Sequence, residues 1–154
     1  MSIKSDKIHL KRAGLLHDIG KVKIKKIQKN GQIDYNGHHK LSVEMANTIL
    51  NRLGFDQSTI ISTLVLIDAH EKDWSNPTKK QIKKFNNTLK ESDISFEEYY
   101  EFLISNLASK NFDYIMKEIY NYNILLNQYY LIYNLKKENI DYNSISFTEN
   151  DIKN

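Results

Sequence analysis

Five histidines occur in the chain, and three of them hold positions suited to ligand chemistry. His17 and Asp18 stand side by side at the end of the apolar run Leu15-Leu16 and are followed by Ile19-Gly20-Lys21. His38 follows Gly37, and His70 ends the stretch Leu64-Val65-Leu66-Ile67-Asp68-Ala69. Each sits where an apolar element gives way to a loop, the place from which a rigid helical scaffold can direct several side chains into one cleft. His17, Asp18, His38 and His70 could thus converge as three imidazoles and a carboxylate. Imidazole suits Zn, Fe, Mn, Ni and Co, and a carboxylate can bridge two ions. His39 could take the role of its neighbour His38, whereas Asp68 falls elsewhere on its helix and reads as solvent-exposed. The chain has no cysteine, which removes disulfides, thiolate metal sites and cysteine nucleophiles. Neither a glycine-rich phosphate loop nor a Ser-His-Asp pattern competes.

The elements that must place these residues are mostly helical. Leu10, Ala13 and Leu16 share one face of a helix predicted over residues 5–18, which Gly20 stops. Residues 22–35 alternate instead, and Asn30-Gly31 between apolar residues predicts a small β-hairpin or ordered loop. A helix restarts at His38 or His39 and runs to Leu53, with Val43, Ala46, Ile49, Leu50 and Leu53 on its buried side. Another covers 57–69, and 71–77 form a polar loop. Thr78 with Gln81, then Ser95 with Glu98, read as capping boxes opening helices to about 89 and 109. A tyrosine-rich helix spans 113–136, its tyrosines serving packing, and a polar tail over 139–154 offers Ile140, Tyr142, Ile145 and Phe147 for docking.

At 154 residues the chain is expected to form one domain, with 1–110 as its core and 111–154 as a helix and tail packed on it. Forty per cent hydrophobic residues with one proline and five glycines fit a compact helical protein. The apolar runs are too short to span a membrane and the N-terminus lacks a signal peptide's apolar core, so a soluble cytoplasmic protein without a membrane partner is expected. The formal net charge is +3, yet residues 1–30 carry nine basic residues against Asp6 and Asp18. With Lys79, Lys80, Lys83 and Lys84, this distribution suits a polyanion such as RNA or a phosphorylated nucleotide.

The stretch L-L-H-D-I-G-K resembles the signature of the HD superfamily of metal-dependent phosphohydrolases. Within it, the order of A-G-L-L-H-D-I-G-K, Y-N-G-H, S-V-E-M-A-N-T-I-L-N-R-L-G-F, L-V-L-I-D-A-H and I-S-F-T-E-N-D-I resembles the C-terminal region of bacterial tRNA nucleotidyltransferases of the CCA-adding and poly(A) polymerase type. The resemblance implies an all-α fold, an HD-domain helical bundle with a small β-hairpin after the HD motif. It implies hydrolysis of a phosphomonoester or cyclic phosphodiester on a nucleotide or RNA end, with a divalent metal (Mn, Ni, Mg, Fe or Zn) as cofactor. His17 and Asp18 would hold a cation, with Asp18 bridging to a second ion on His38 and His70. Lys21 would neutralise substrate phosphate, and Lys23, Lys25 and Lys26 would extend the phosphate-binding surface.

The family pattern has two departures here. Its members usually carry a further histidine on an earlier helix, and only sixteen residues precede His17. His9 cannot substitute, since eight residues of helix separate it from His17 by about 12 Å. The late aspartate falls at Ser105 or Asn106, with Asp93 and Asp113 out of register. The nucleotide-adding machinery, a Gly-Ser motif with paired aspartates, has no counterpart. The expectation is a metal-dependent phosphohydrolase. Its alternative is a catalytically impaired module that binds tRNA, other RNA or a partner protein, or a homodimer or partner chain that completes the site.

Overall fold

Leu10, Ala13 and Leu16 are all buried, and the segment that carries them forms α1 (Ile8–Leu16). The computed structural model describes residues 7–107 and 110–135. α1 ends before Asp18, short of the expected boundary. The His17 N–H still donates to the Ala13 carbonyl, but Asp18 turns to φ −103° and ψ 2°, and a short 3-10 turn follows over Ile19–Val22. Gly20 lies inside that turn instead of terminating α1. Its N–H donates to the buried Ser42 hydroxyl at 2.9 Å. A Cβ at Gly20 would press on the His38 carbonyl and lie 2.8 Å from the Ser42 nitrogen. Glycine is therefore needed for close approach and not for an unusual backbone angle.

The hairpin forms as the Asn-Gly signal predicts, though in miniature. β1 (Lys26–Ile27) pairs antiparallel with β2 (Ile33–Asp34), placing Lys26 opposite Asp34 and Ile27 opposite Ile33. Gly31 takes φ +80° and donates its N–H to the Gln28 carbonyl, closing the loop. From Gly37 (φ +83°) the chain enters α2 (His38–Arg52). Ala46 and Leu50 reach the core, whereas Leu53, expected on the buried side, is exposed because α2 has already ended at Arg52.

α3 (Gln57–Ala69) is capped by Asp56, which accepts from the Thr59 N–H. Both predicted capping boxes form, Thr78–Gln81 at α4 (Lys79–Glu91) and Ser95–Glu98 at α5 (Phe96–Asn106). α5 stops three residues before the expected 109, and α6 (Phe112–Tyr133) ends in a left-handed Asn134, short of the expected 136. α1 packs on α3 and α5, α2 on α3 and the 3-10 turn, and α6 on α4 and α5. Tyr122 and Tyr129 of α6 are buried, Tyr129 stacking on Phe96 at 4.1 Å between centroids, while Tyr114 and Tyr120 are exposed.

The all-α architecture with one hairpin after the His-Asp pair is as expected. The loop over 71–77 also forms, and its Trp74 is buried among Phe85 and Tyr99. Its indole N–H donates to the Tyr99 hydroxyl, which donates to the Ala69 carbonyl, each at 2.8 Å. This chain of hydrogen bonds fastens the end of α3, where His70 begins. No helix among the described residues is long and apolar enough to cross a membrane. The tail with Ile140, Tyr142, Ile145 and Phe147 lies outside the described residues.

Candidate metal centre

The three histidines reach the site in the same way. His17 caps the end of α1, His38 opens α2 and His70 caps α3. In each, Nδ1 donates to the carbonyl three residues earlier: His17 to Gly14 (2.8 Å), His38 to Tyr35 (3.0 Å) and His70 to Ile67 (2.6 Å). A carbonyl only accepts, so Nδ1 carries the hydrogen and Nε2 is left as the donor atom toward the centre. Holding the ring through its other nitrogen is how proteins fix a histidine ligand's tautomer and direction.

The Nε2 atoms gather around Asp18. Asp18 Oδ1 lies 3.0 Å from His38 Nε2 and 3.9 Å from His70 Nε2, and Oδ2 lies 3.4 Å from His17 Nε2. His38 and His70 place their Nε2 atoms 3.3 Å apart. In the neutral tautomer two nitrogen lone pairs face each other and an anionic oxygen, an arrangement that calls for a shared cation. Metal–ligand bonds of about 2.0–2.2 Å separate neighbouring donors by roughly 3.0–3.5 Å, so this donor set fits a divalent ion. Burial opposes the charge on Asp18, but the Lys21 hydrogen bond and the nearby His17 and His38 outweigh it, so its pKa falls below the usual value. Burial, with His17 and His38 close by, pushes His70 down to about 4, leaving it neutral and available as a ligand at neutral pH.

Sequence reasoning missed Glu71. It lies 3.4 Å from His38 Nδ1 and 3.2 Å from His39 Nδ1. His38, His70 and Glu71 form a second group of ligand atoms within 4.8 Å of one another, beside His17, Asp18 and His70. Its adjacency to His70 was the available signal, and the polar run around it masked that. His39 turns to Glu71 and away from the centre, so it does not exchange roles with His38. His9 lies 3.2 Å from Glu98 and joins nothing at the site. Asp68 is exposed.

Lys21 reaches Asp18 Oδ2 at 2.7 Å and sits over the Tyr35 ring. Its charge is thus partly taken up by Asp18, although it still lines the cleft that opens over His17 and Asp18. That cleft holds about 330 Å³ and is also lined by His70, Glu71, Lys72, Asn106, Lys110 and the α6 residues Tyr114, Glu118 and Tyr122. Lys23, Lys25 and Lys26, running from the end of the 3-10 turn into β1, are exposed and do not line it. Of the two positions that stand where an aspartate was expected, Asn106 lines the cleft and Ser105 does not. The Phe102 ring meets the His17 ring edge-on, and Asn106 follows one turn later on the same face of α5. Both polar atoms of its amide are buried without a hydrogen-bond partner.

A family model described as the HD domain matches residues 1–118. No curated protein and no solved structure matches the chain.

Proposed function

Since the chain belongs to the HD-domain family, we propose that it is a metal-dependent phosphohydrolase acting on a nucleotide or an RNA-terminal phosphate, either a phosphomonoester or a cyclic phosphodiester. The observation that carries this reading is the convergence of three oriented Nε2 atoms on the two oxygens of Asp18. His17, His38, His70 and Asp18 would hold the cation, and Glu71 stands within reach of His38 and His70 for a second one. A divalent ion supplies an acidified water and polarises a phosphoryl oxygen. The protein residues do the rest. The carbonyls of Gly14, Tyr35 and Ile67 keep the three rings aimed, and Asp18 stays ionised. Lys21, drawn to Asp18, sets positive charge at the cleft wall where substrate phosphate enters.

Elemental analysis of the purified protein, with a phosphatase and phosphodiesterase screen in added Mn, Ni or Mg, tests the reading. Bound metal and an activity lost in His17→Ala are expected. If no metal binds and His17→Ala alters stability alone, the reading fails.

A second reading is favoured by the exposure of Lys23, Lys25 and Lys26 on the segment leading into β1 and by Asn106 in place of a carboxylate. On it the chain is a catalytically impaired module holding tRNA or another RNA, or a partner protein. It requires tRNA affinity that falls with salt and disappears when those three lysines are neutralised.

A further inference from the structure

The cleft over the metal centre is lined by two sets of residues. One set holds His17, Asp18, Lys21 and His70, with the mixed charges of Glu71, Lys72 and Asp73. The other is a stripe on α6, where Tyr114, Glu118 and Tyr122 recur every four residues and so share one helical face. Glu118 is half-buried and, one turn before Tyr122 on the helix, holds the Tyr122 hydroxyl's pKa above its ordinary value, with burial as the larger cause. Tyr122 is buried and Tyr114 is exposed, and both line the cleft. A carboxylate can only accept hydrogen bonds, so Glu118 repels phosphate and attracts hydroxyl or amine donors. The Asn106 amide, which carries both a donor and an acceptor, also lines the cleft without a partner. A volume of about 330 Å³ lies at the small end for ligand sites and suits one nucleotide or one sugar phosphate better than a strand.

We propose that Tyr114, Glu118 and Tyr122 form a specificity wall that receives the hydroxyl-bearing sugar ring of a phosphorylated small molecule, with Glu118 accepting from the ring hydroxyls. The inference rests on the phosphohydrolase reading and narrows its substrate class. The phosphate goes to the wall that carries the histidines and Lys21. The sugar ring lies along the tyrosines. The family match ends at residue 118, so Tyr122 lies beyond the part of the chain shared with the family model.

The test compares kcat/KM of the Mn-loaded full chain on ribose 5-phosphate, adenosine 5′-monophosphate and phenyl phosphate, which lacks ring hydroxyls. Glu118→Ala should lower the preference for each hydroxyl-bearing ester over phenyl phosphate by about tenfold, the scale of one hydrogen bond to a charged group. Titration calorimetry in a chelator should show ribose 5-phosphate binding weakened by a similar factor, with circular dichroism confirming that the variant is folded. An unchanged preference, or an equal loss on all three esters, overturns the proposal. A loss confined to adenosine 5′-monophosphate overturns it too, because Glu118 would then read the base. If wild-type protein binds no metal and hydrolyses none of the esters, the phosphohydrolase reading fails, and the calorimetric comparison alone decides the wall.

Discussion

The Nε2 atoms of His38 and His70 stand 3.3 Å apart although each ring has already given its Nδ1 hydrogen to a backbone carbonyl. Two buried acceptors at that distance repel until a cation lies between them, so binding and folding are coupled here. At a free cation concentration of 100 times Kd, stabilisation is about 2.7 kcal/mol, and about 5–10 °C in Tm for a chain of this size. Thermal unfolding with Mn and with a chelator should show that difference in the wild type. It should shrink to about 2 °C or less in Asp18→Ala and His38→Ala.

Gly20 lies so close to α2 that any side chain meets the His38 carbonyl and Ser42. Neither backbone atom can swing aside as a side chain would. Gly20→Ala should cost about 2–3 kcal/mol in urea unfolding, within the range for overpacking. Because the displaced segment carries His38, metal affinity measured by titration should fall as well.

The relay from Trp74 through the Tyr99 hydroxyl to the Ala69 carbonyl anchors the residue before His70. Tyr99→Phe removes the hydroxyl and strands two buried partners. It should destabilise the fold by about 1–3 kcal/mol. Trp74→Ala should cost about 3–5 kcal/mol by opening a cavity. Chemical denaturation of both variants checks the ordering.

Glu98 accepts from the Ser95 N–H at 2.6 Å and pairs with Lys7 at 2.9 Å. Burial raises its pKa, but the Ser95 and Lys7 contacts outweigh that and leave it lowered. The folded form therefore holds its proton less tightly than the unfolded chain. Its contribution is complete above the unfolded carboxylate range and is lost as the pH falls through the folded value. Glu98→Gln, which keeps a capping side chain, should cost about 0.5–1 kcal/mol at pH 7. In stability measured against pH, the difference from wild type should close as the pH falls below the ordinary glutamate range.

The caps of α4 and α5 were legible because Thr78, Gln81, Ser95 and Glu98 satisfy one another within a single turn. So was the His17-Asp18 pair, whose position at a helix end follows from the apolar spacing before it. Glu71 was not legible as a partner of His38, because thirty-three residues of chain separate them and only the packing of α2 on α3 brings them together. Trp74 sits in the expected loop, but its burial was not legible, for the same reason. Its local neighbours are polar, and the groups that bury it, Phe85 and Tyr99, come from later helices. Asn106 stood out in the sequence only as a lost carboxylate, while its unpaired amide emerges from the three-dimensional surroundings.

Each ring at the centre is steadied by a carbonyl from its own turn: Gly14, Tyr35 and Ile67 are all local to the histidine they hold. The ligands are consequently self-contained cassettes that do not lean on one another for orientation. One ligand can then be exchanged while the others keep their aim. Such a centre would drift by single replacements that tune charge and cargo, with no need to be rebuilt as a whole.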